Sequence, residues 1–481
     1  MRQRPCTTNM LDSGSVSALS ARLDRLPGWN LPRLFAVTIG LGILFVQYDI
    51  FDINVSFIQT CIDIRPGCTA ANAIDSLNLP VLFGLVGYGV GALAISPLAD
   101  RFGRRGVLMV TMTLTGVGSL YSAMAGDYAE FSVSRLITGL GIGADLAIIN
   151  TYINEVAPRQ ARARFTAILF LLAAIGAALA VWLGLVLTTA PAAWPGGLPF
   201  ALATDSGSQW RWMYVLGAVL ALASVLLRAR LPESPRWLLV RGRGAEAESV
   251  IREMERRAER RGPLPEPAAA VPLPRPAGPG IYQELLASRL YRGRCLVLGV
   301  VWMAAYVTLY ATAGGFTAVL ATFGYTPPAA GMVSAVGLLG FVASAVVAIW
   351  CGERLERKYW LPIGAAVTVV GSVLIALAGS TTAWVWLGAV VLFFGQNVWV
   401  APQYALTAES FPTRFRATGY ALADSIGHVG GGIGVFVVAG LVGGLAPLTA
   451  LLMLAGFLVL AALVNQFAVR TRGQRLEEVS R

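Results

Sequence analysis

Gly91-Ala-Leu-Ala-Ile-Ser-Pro-Leu-Ala-Asp-Arg-Phe-Gly-Arg-Arg105 carries an apolar run of small residues straight into a cationic cluster. The same change recurs where Gly340 to Ile349 lead into Glu353-Arg-Leu-Glu-Arg-Lys358, with Asp100 opposite Glu353 and Arg104 opposite Arg357, 253 residues on. A second pair of motifs keeps nearly that offset: Glu155-Val-Ala-Pro158 matches Glu409-Ser-Phe-Pro412, and Arg162 matches Arg416, each 254 apart. Two independent motif pairs at one offset indicate a chain built from two similar halves.

Composition says what the halves are made of. Of 481 residues, 56% are hydrophobic and 13% charged, against about 25% charged in soluble proteins. A water-soluble core cannot hide that much apolar side chain, so a membrane protein of many spans is expected. Of 37 basic residues 36 are arginine, giving a net charge of +11. They sit at the ends of apolar segments, which is a topology signal and not a nucleic-acid surface.

A spanning helix needs roughly 20 apolar residues. Twelve such segments fall at 33–58, 79–99, 107–125, 129–154, 165–189, 210–229, 295–320, 329–351, 361–379, 383–406, 417–443 and 446–468. Lipid forces spanning backbone into helices or closed barrels, so the fold class is an all-α membrane protein of two six-helix pseudo-symmetric bundles. The domain plan is an N-terminal segment (1–32, with a short amphipathic helix at 15–26), a first bundle (33–230), a central loop (231–293) with a charged helix near 245–261 and a Pro/Ala linker, a second bundle (294–469) and a tail (470–481).

The loops after the even segments 2, 4, 8 and 10 hold Arg101, Arg104, Arg105, Arg159, Arg162, Arg164, Arg354, Arg357, Lys358, Arg414 and Arg416; the alternate loops hold Arg65 and Arg211. Eleven against two places both termini in the cytoplasm of a plasma-membrane protein. Cys61 and Cys68 share the outer loop after the first segment and are either a disulfide or two loop thiols.

These motifs together resemble the major facilitator superfamily over essentially the whole chain. Leu98-Ala-Asp-Arg-Phe-Gly-Arg-Arg105 is similar to its loop motif after the second helix, and Arg135-x-x-x-Gly139-x-Gly141-x-Gly143 to its fourth-helix motif. Leu231-Pro-Glu-Ser-Pro-Arg-Trp-Leu-Leu239 is similar to the sugar-porter and organic-ion branches. Ala21-Arg-Leu-Asp-Arg-Leu-Pro27 and Glu409-Ser-Phe-Pro-Thr-Arg-Phe-Arg-Ala-Thr-Gly419 look like metabolite:proton symporters that carry niacin or aromatic acids. Tyr48-Asp-Ile-Phe-Asp-Ile-Asn54, Gly141-Ile-Gly-Ala-Asp145 and a basic residue at His428 look like phosphate:proton symporters, although the seventh segment has no acid. The glutamines that sugar porters carry in their fifth and seventh helices are missing here.

Intramembrane acids need a reason, since each costs about 2.5–3.5 kcal/mol on insertion scales. Asp49 and Asp52 are three apart and share a helix face. These two and Asp145 are the candidate proton carriers, or else members of permanent pairs, for example Asp145 with Arg135 or with a neighbouring helix. Arg135 is a candidate anion fork or a partner for an acid of the first helix. Asp424 and His428 are four apart and can touch; they are further candidates for holding the proton or the substrate. His428, the one histidine in the chain, can face a substrate anion when protonated beside Asp424. Gln396 and Asn397, with Trp399, Tyr306 and Tyr310, are candidate pocket residues.

Resemblance implies that Asp100 and its neighbours Arg101 and Arg104 belong to a cytoplasmic gate that latches onto the start of the eleventh helix, with Glu155 and Arg164, and Glu409 and Arg416, as adjoining ion pairs. The expected function is proton-coupled transport of a small polar or anionic metabolite by alternating access. A sugar or polyol porter and a transporter-like nutrient sensor are the alternatives. No enzyme chemistry, metal or cofactor is expected. Substrate, protons and the bilayer are the expected partners, and the expected state is a monomer.

Overall fold

The computed structural model describes residues 13–26, 33–156, 162–203, 207–267, 281–313, 315–352, 354–378, 381–411, 416–442 and 444–472. There is no strand among the described residues, where eleven helices are long and apolar enough to cross a membrane and a bent pair taken together makes a twelfth span. They are α1 (Val37–Phe51 and Ile53–Ile64), α2 (Ala73–Ala99), α3 (Arg104–Met124), α4 (Tyr128–Ile153), α5 (Ala167–Thr188), α6 (Arg211–Arg228), α7 (Arg289–Thr312), α8 (Pro327–Cys351), α9 (Arg357–Leu377), α10 (Thr382–Glu409), α11 (Thr418–Val438) and α12 (Pro447–Phe467). The halves meet where α2 packs on α11 and α5 on α8.

Three spans depart most from the sequence-based boundaries: α2 begins six residues earlier, at Ala73, and α1 and α7 end elsewhere than expected. α1 reaches Ile64 but bends by 44° between Phe51 and Ile53. Arg135 Nη2 donates to the main-chain carbonyl of Asp49 at 2.6 Å. It competes there with the amide of Ile53, which would take that carbonyl in an unbroken helix, and a competing donor of this kind bends helices. α7 stops at Ala313 and a separate helix, Phe316–Thr322, continues the path.

Close packing explains the glycines of the α4 motif. A Cβ on Gly143 would lie 2.0 Å from the carbonyl oxygen of Tyr88, and one on Gly91 of α2 2.1 Å from that of Leu140. The second half repeats the device, Gly340 of α8 standing against Val390 of α10. Small residues at these crossings let helix backbones touch.

Beneath the Arg-rich face lie helices Pro235–Val240 and Gly244–Glu259, and the helix Ser13–Asp24 packs on them. Leu19, Leu23 and Leu26 are buried with Ile251, Met254 and Ala258. Arg22 grips Glu255 through Nε at 3.1 Å and Nη2 at 2.5 Å, and Arg25 adds a contact at 2.7 Å. Burial pushes the Glu255 carboxyl up, but the Arg22 and Arg25 hydrogen bonds outweigh it and hold the group below its ordinary value.

Candidate functional site

Three helices build the central cluster. The bend in α1 presents Asp49 and Asp52, both fully buried, to Arg135 of α4. Arg135 Nη1 stands 3.5 Å from Asp49 Oδ2 and 3.5 Å from Asp52 Oδ1, beyond good hydrogen-bond length for each. Ser119 of α3 donates to Asp49 Oδ1 at 2.5 Å. Among the described residues, Nη1 of Arg135, Oδ2 of Asp49 and both carboxylate oxygens of Asp52 have no hydrogen-bond partner. Two carboxyl groups thus share one guanidinium, and with both ionised the buried set carries one uncompensated negative charge. A bilayer interior tolerates that poorly, and one proton would neutralise it.

Arg135 also lines a cavity of about 50 Å³, together with Ile50, Ile53, Tyr88, Thr138 and Tyr310. That volume holds water, not a metabolite; ligand pockets run to about 300–1,000 Å³.

Asp145 does not join this cluster. It lies ten residues beyond Arg135 on the same helix, about 15 Å along the axis. Arg228 of α6 donates to both of its oxygens, the Nη2 contact at 2.9 Å, and Thr111 donates to Oδ1 at 2.7 Å. Arg228 Nη1 also reaches the Leu108 carbonyl at 3.0 Å. This is a closed, charge-balanced pair, so its partner is Arg228 and not Arg135. The sequence hid it because Arg228 stands two residues before Arg230 and looks like one more end-of-segment arginine.

On the far side of the cavity, Asp424 of α11 accepts from Tyr306 at Oδ1 and from Tyr88 at Oδ2, both at 2.9 Å. His428 Nδ1 is 2.9 Å from the main-chain oxygen of Asp424 and 3.4 Å from Oδ1. The His428 ring stacks on Tyr88, centroids 3.4 Å apart.

The amides expected in a pocket are engaged elsewhere. Gln396 accepts from Thr312 at 2.7 Å, and Asn397 donates to the Phe341 carbonyl at 3.0 Å and Ser344 at 2.9 Å, tying α10 to α7 and α8. Trp399 is buried against Trp302. Of the proposed aromatics only Tyr310 lines the cavity; Tyr306 serves Asp424. A residue the sequence did not single out, Asn54, joins the halves beside the bend. It donates to the Thr312 carbonyl at 2.8 Å, accepts from Ser334 at 2.8 Å, and its own carbonyl accepts from Thr317. Cys61 and Cys68 are bonded to each other, their Cα atoms 5.9 Å apart.

At the Arg-rich face the repeat becomes a repeated contact. Arg104 makes a two-pronged pair with Glu155 at 3.2 and 2.8 Å, and Arg357 makes the same pair with Glu409 at 2.7 and 2.8 Å. Each glutamate is thus held by the arginine that opens the preceding span, a fork that suits a carboxylate. The expected contacts of Arg164 and Arg416 lie outside the described residues, as does the side chain of Asp100, and Arg101 is exposed.

Glu233 caps α3, accepting from the amides of Arg104 at 2.9 Å and Arg105 at 3.3 Å, a favourable place for a carboxylate at a helix N-terminus. Gly103 makes room for it, with φ of +104° and space for no Cβ: one would sit 2.3 Å from Glu233 Oε2. Gly103→Ala should cost about 1–3 kcal/mol from backbone strain alone and lower the melting temperature of the purified protein. Gly106→Ala, which meets nothing within 4 Å, should leave it unchanged or raise it. Equal melting of the two variants would refute this account.

Residues 35–481 match the model of the family described as sugar (and other) transporter. The niacin transporter NiaP of Acinetobacter baylyi is 26% identical over 415 residues, covering 86% of this chain and 88% of that protein. The 4-hydroxybenzoate transporter PcaK of Pseudomonas aeruginosa is 29% identical over 398 residues, covering 79% and 81%. Among solved structures, a partially occluded inward-open xylose transporter XylE from E. coli superposes with a TM-score of 0.68 at 19% identity, covering 92% of this chain and 99% of that one. The same major facilitator fold is seen in the proton:xylose symporter XylE bound to 6-bromo-6-deoxy-D-glucose, at a TM-score of 0.69.

Proposed function

The chain belongs to the sugar (and other) transporter family of the major facilitator superfamily, a family of transporters and not of enzymes, and from this premise we propose that it is a proton-coupled symporter of a small organic anion. The observation that carries the proposal is the count at the centre: Asp49 and Asp52 around the one guanidinium of Arg135, a residue that lines the cavity and whose Nη1 has no hydrogen-bond partner among the described residues. In the proposed cycle the Arg-rich face is cytoplasmic and the Cys61–Cys68 face is outside. A proton from outside neutralises one of the two acids, which removes one of the two charges competing for Arg135 and lessens the repulsion a substrate anion would meet there. The halves then rock about the cavity and widen it towards the other face. Asn54 closes the outer side in the present arrangement.

Relatives named for niacin and 4-hydroxybenzoate support an aromatic or heteroaromatic carboxylate. The experiment is uptake into vesicles of purified protein with an imposed pH gradient, acid outside, offering niacin, 4-hydroxybenzoate, phosphate and xylose in turn. The expected result is accumulation of a carboxylate that vanishes when the gradient is collapsed. Gradient-independent xylose equilibration, with no carboxylate taken up, would overturn it.

A further inference from the structure

The Asp424–His428 pair has no part in the cycle just described, yet it is a buried acid at the seam between the halves. Among the described residues the one cation-forming group within ion-pair distance of Asp424 is His428. The other groups facing it are hydroxyls: Tyr88 from α2, Tyr306 and Tyr310 from α7, Tyr404 bonded to Tyr306 from α10 at 2.9 Å, and Tyr420 one helical turn back on α11. With the imidazole neutral, the pair holds one net negative charge in an apolar interior; one proton on the ring makes it neutral overall.

The protonation site follows from geometry. The main-chain oxygen of Asp424 can only accept, so Nδ1 of His428 carries a hydrogen and donates to it at 2.9 Å. An incoming proton therefore binds Nε2. The two carboxylate oxygens differ in a way that matters. Oδ1 is held by Tyr306, a member of the same half, whereas Oδ2 is held by Tyr88, a member of the other. Parting the halves along α2 and α11 takes away the Tyr88 donor and leaves the Tyr306 donor in place. A carboxylate that loses a donor concentrates its charge and holds a neighbouring proton more tightly.

We propose that Asp424 and His428 form a second proton-binding site, whose hold on its proton depends on whether Tyr88 of the opposite half is within reach. The site would report the facing of the transporter as a change in proton affinity, and by linkage acidity would bias that facing. The proposal rests on the rocking of the halves described above but not on proton transfer at Asp49 or Asp52.

The chain has a single histidine, so one imidazole can be observed alone. Full-length protein labelled with ¹⁵N-histidine, carrying a non-histidine affinity tag and placed in lipid nanodiscs, is titrated by NMR. The expected wild-type result is a neutral Nδ1–H ring that becomes imidazolium between about pH 5 and 8. Tyr88→Phe keeps the ring stacked on His428 and removes only the hydroxyl. It should raise the midpoint by about one pH unit, whereas Asp424→Asn should lower it. Tyr310→Phe, which removes a hydroxyl that makes no bond to Asp424, should leave it in place. An imidazole in one protonation state across the whole range overturns the proposal. So does a midpoint that ignores Tyr88→Phe or moves equally with Tyr310→Phe. Loss of gradient-driven uptake in Asp49 or Asp52 variants leaves this readout untouched, so the two proposals fail separately.

Discussion

Asp145→Asn should be the most destabilising of the single acid-to-amide changes within the spans, costing about 3–5 kcal/mol. The amide removes the negative charge and leaves Arg228, almost wholly buried, with no counter-charge. Arg228→Met leaves Asp145 in the same position with the opposite sign and should cost a similar amount. The double change Asp145→Leu with Arg228→Met removes both charges together, and buried pairs replaced by apolar residues of similar size often lose nothing. Its stability should therefore recover most of the way to wild type. Thermal unfolding of the four purified proteins checks this, and additive losses in the double variant would show that the charges are not a closed pair. The neighbourhood is tight enough for size to matter: a Cβ on Gly42 would lie 2.1 Å from Arg228 Nη2.

The second large effect concerns coupling and not stability. Across a gradient of about two pH units, symport of one proton can concentrate a solute about 100-fold, since each unit is worth about 1.36 kcal/mol. Asp52→Asn and Asp49→Asn each leave Arg135 one acid and so remove the vacancy a proton would fill. Both should abolish uphill accumulation, a fall of about 100-fold towards equal concentrations, while exchange of labelled for unlabelled solute continues. Full accumulation by both variants in vesicles with an imposed gradient would refute a coupling role for this pair. Asp145→Asn, by contrast, should lose whatever it loses through folding.

The fold was legible because its signals are large and local. Apolar runs of spanning length, arginines at alternate ends and two motifs repeated at offsets of 253 and 254 gave the architecture before any coordinate. The repeat was legible down to residues: Arg104 with Glu155 and Arg357 with Glu409 make the same two-pronged pair. The neighbouring α1 acids could be placed on one face because helical spacing alone decides that. What remained hidden were pairings between distant helices. Nothing local distinguishes Arg228, which neutralises Asp145, from Arg230, which ends a span. Likewise Gln396 and Asn397 have the chemistry of a pocket, but their amides are directed at α7 and α8 by how α10 is rotated, which one chain's sequence does not express. In the sequence Asn54 is only the end of the acidic motif of α1, because its tie to Thr312 and Ser334 of the other half is set by how the halves pack and not by local sequence.

The 44° bend in α1 has a mechanical consequence. Asp52 is the pivot, and beyond it stands a stiff arm, Ile53–Ile64, of twelve residues or about 18 Å. A change of about 10° at the pivot moves the tip of such an arm by about 3 Å, the length of a hydrogen bond. That tip carries Cys61, whose bond to Cys68 ties the following loop to the same arm. If the proposed proton at Asp49 or Asp52 alters the bend, the arm would magnify that one charge into a displacement at its tip, with the disulfide keeping the start of the loop in step with the helix.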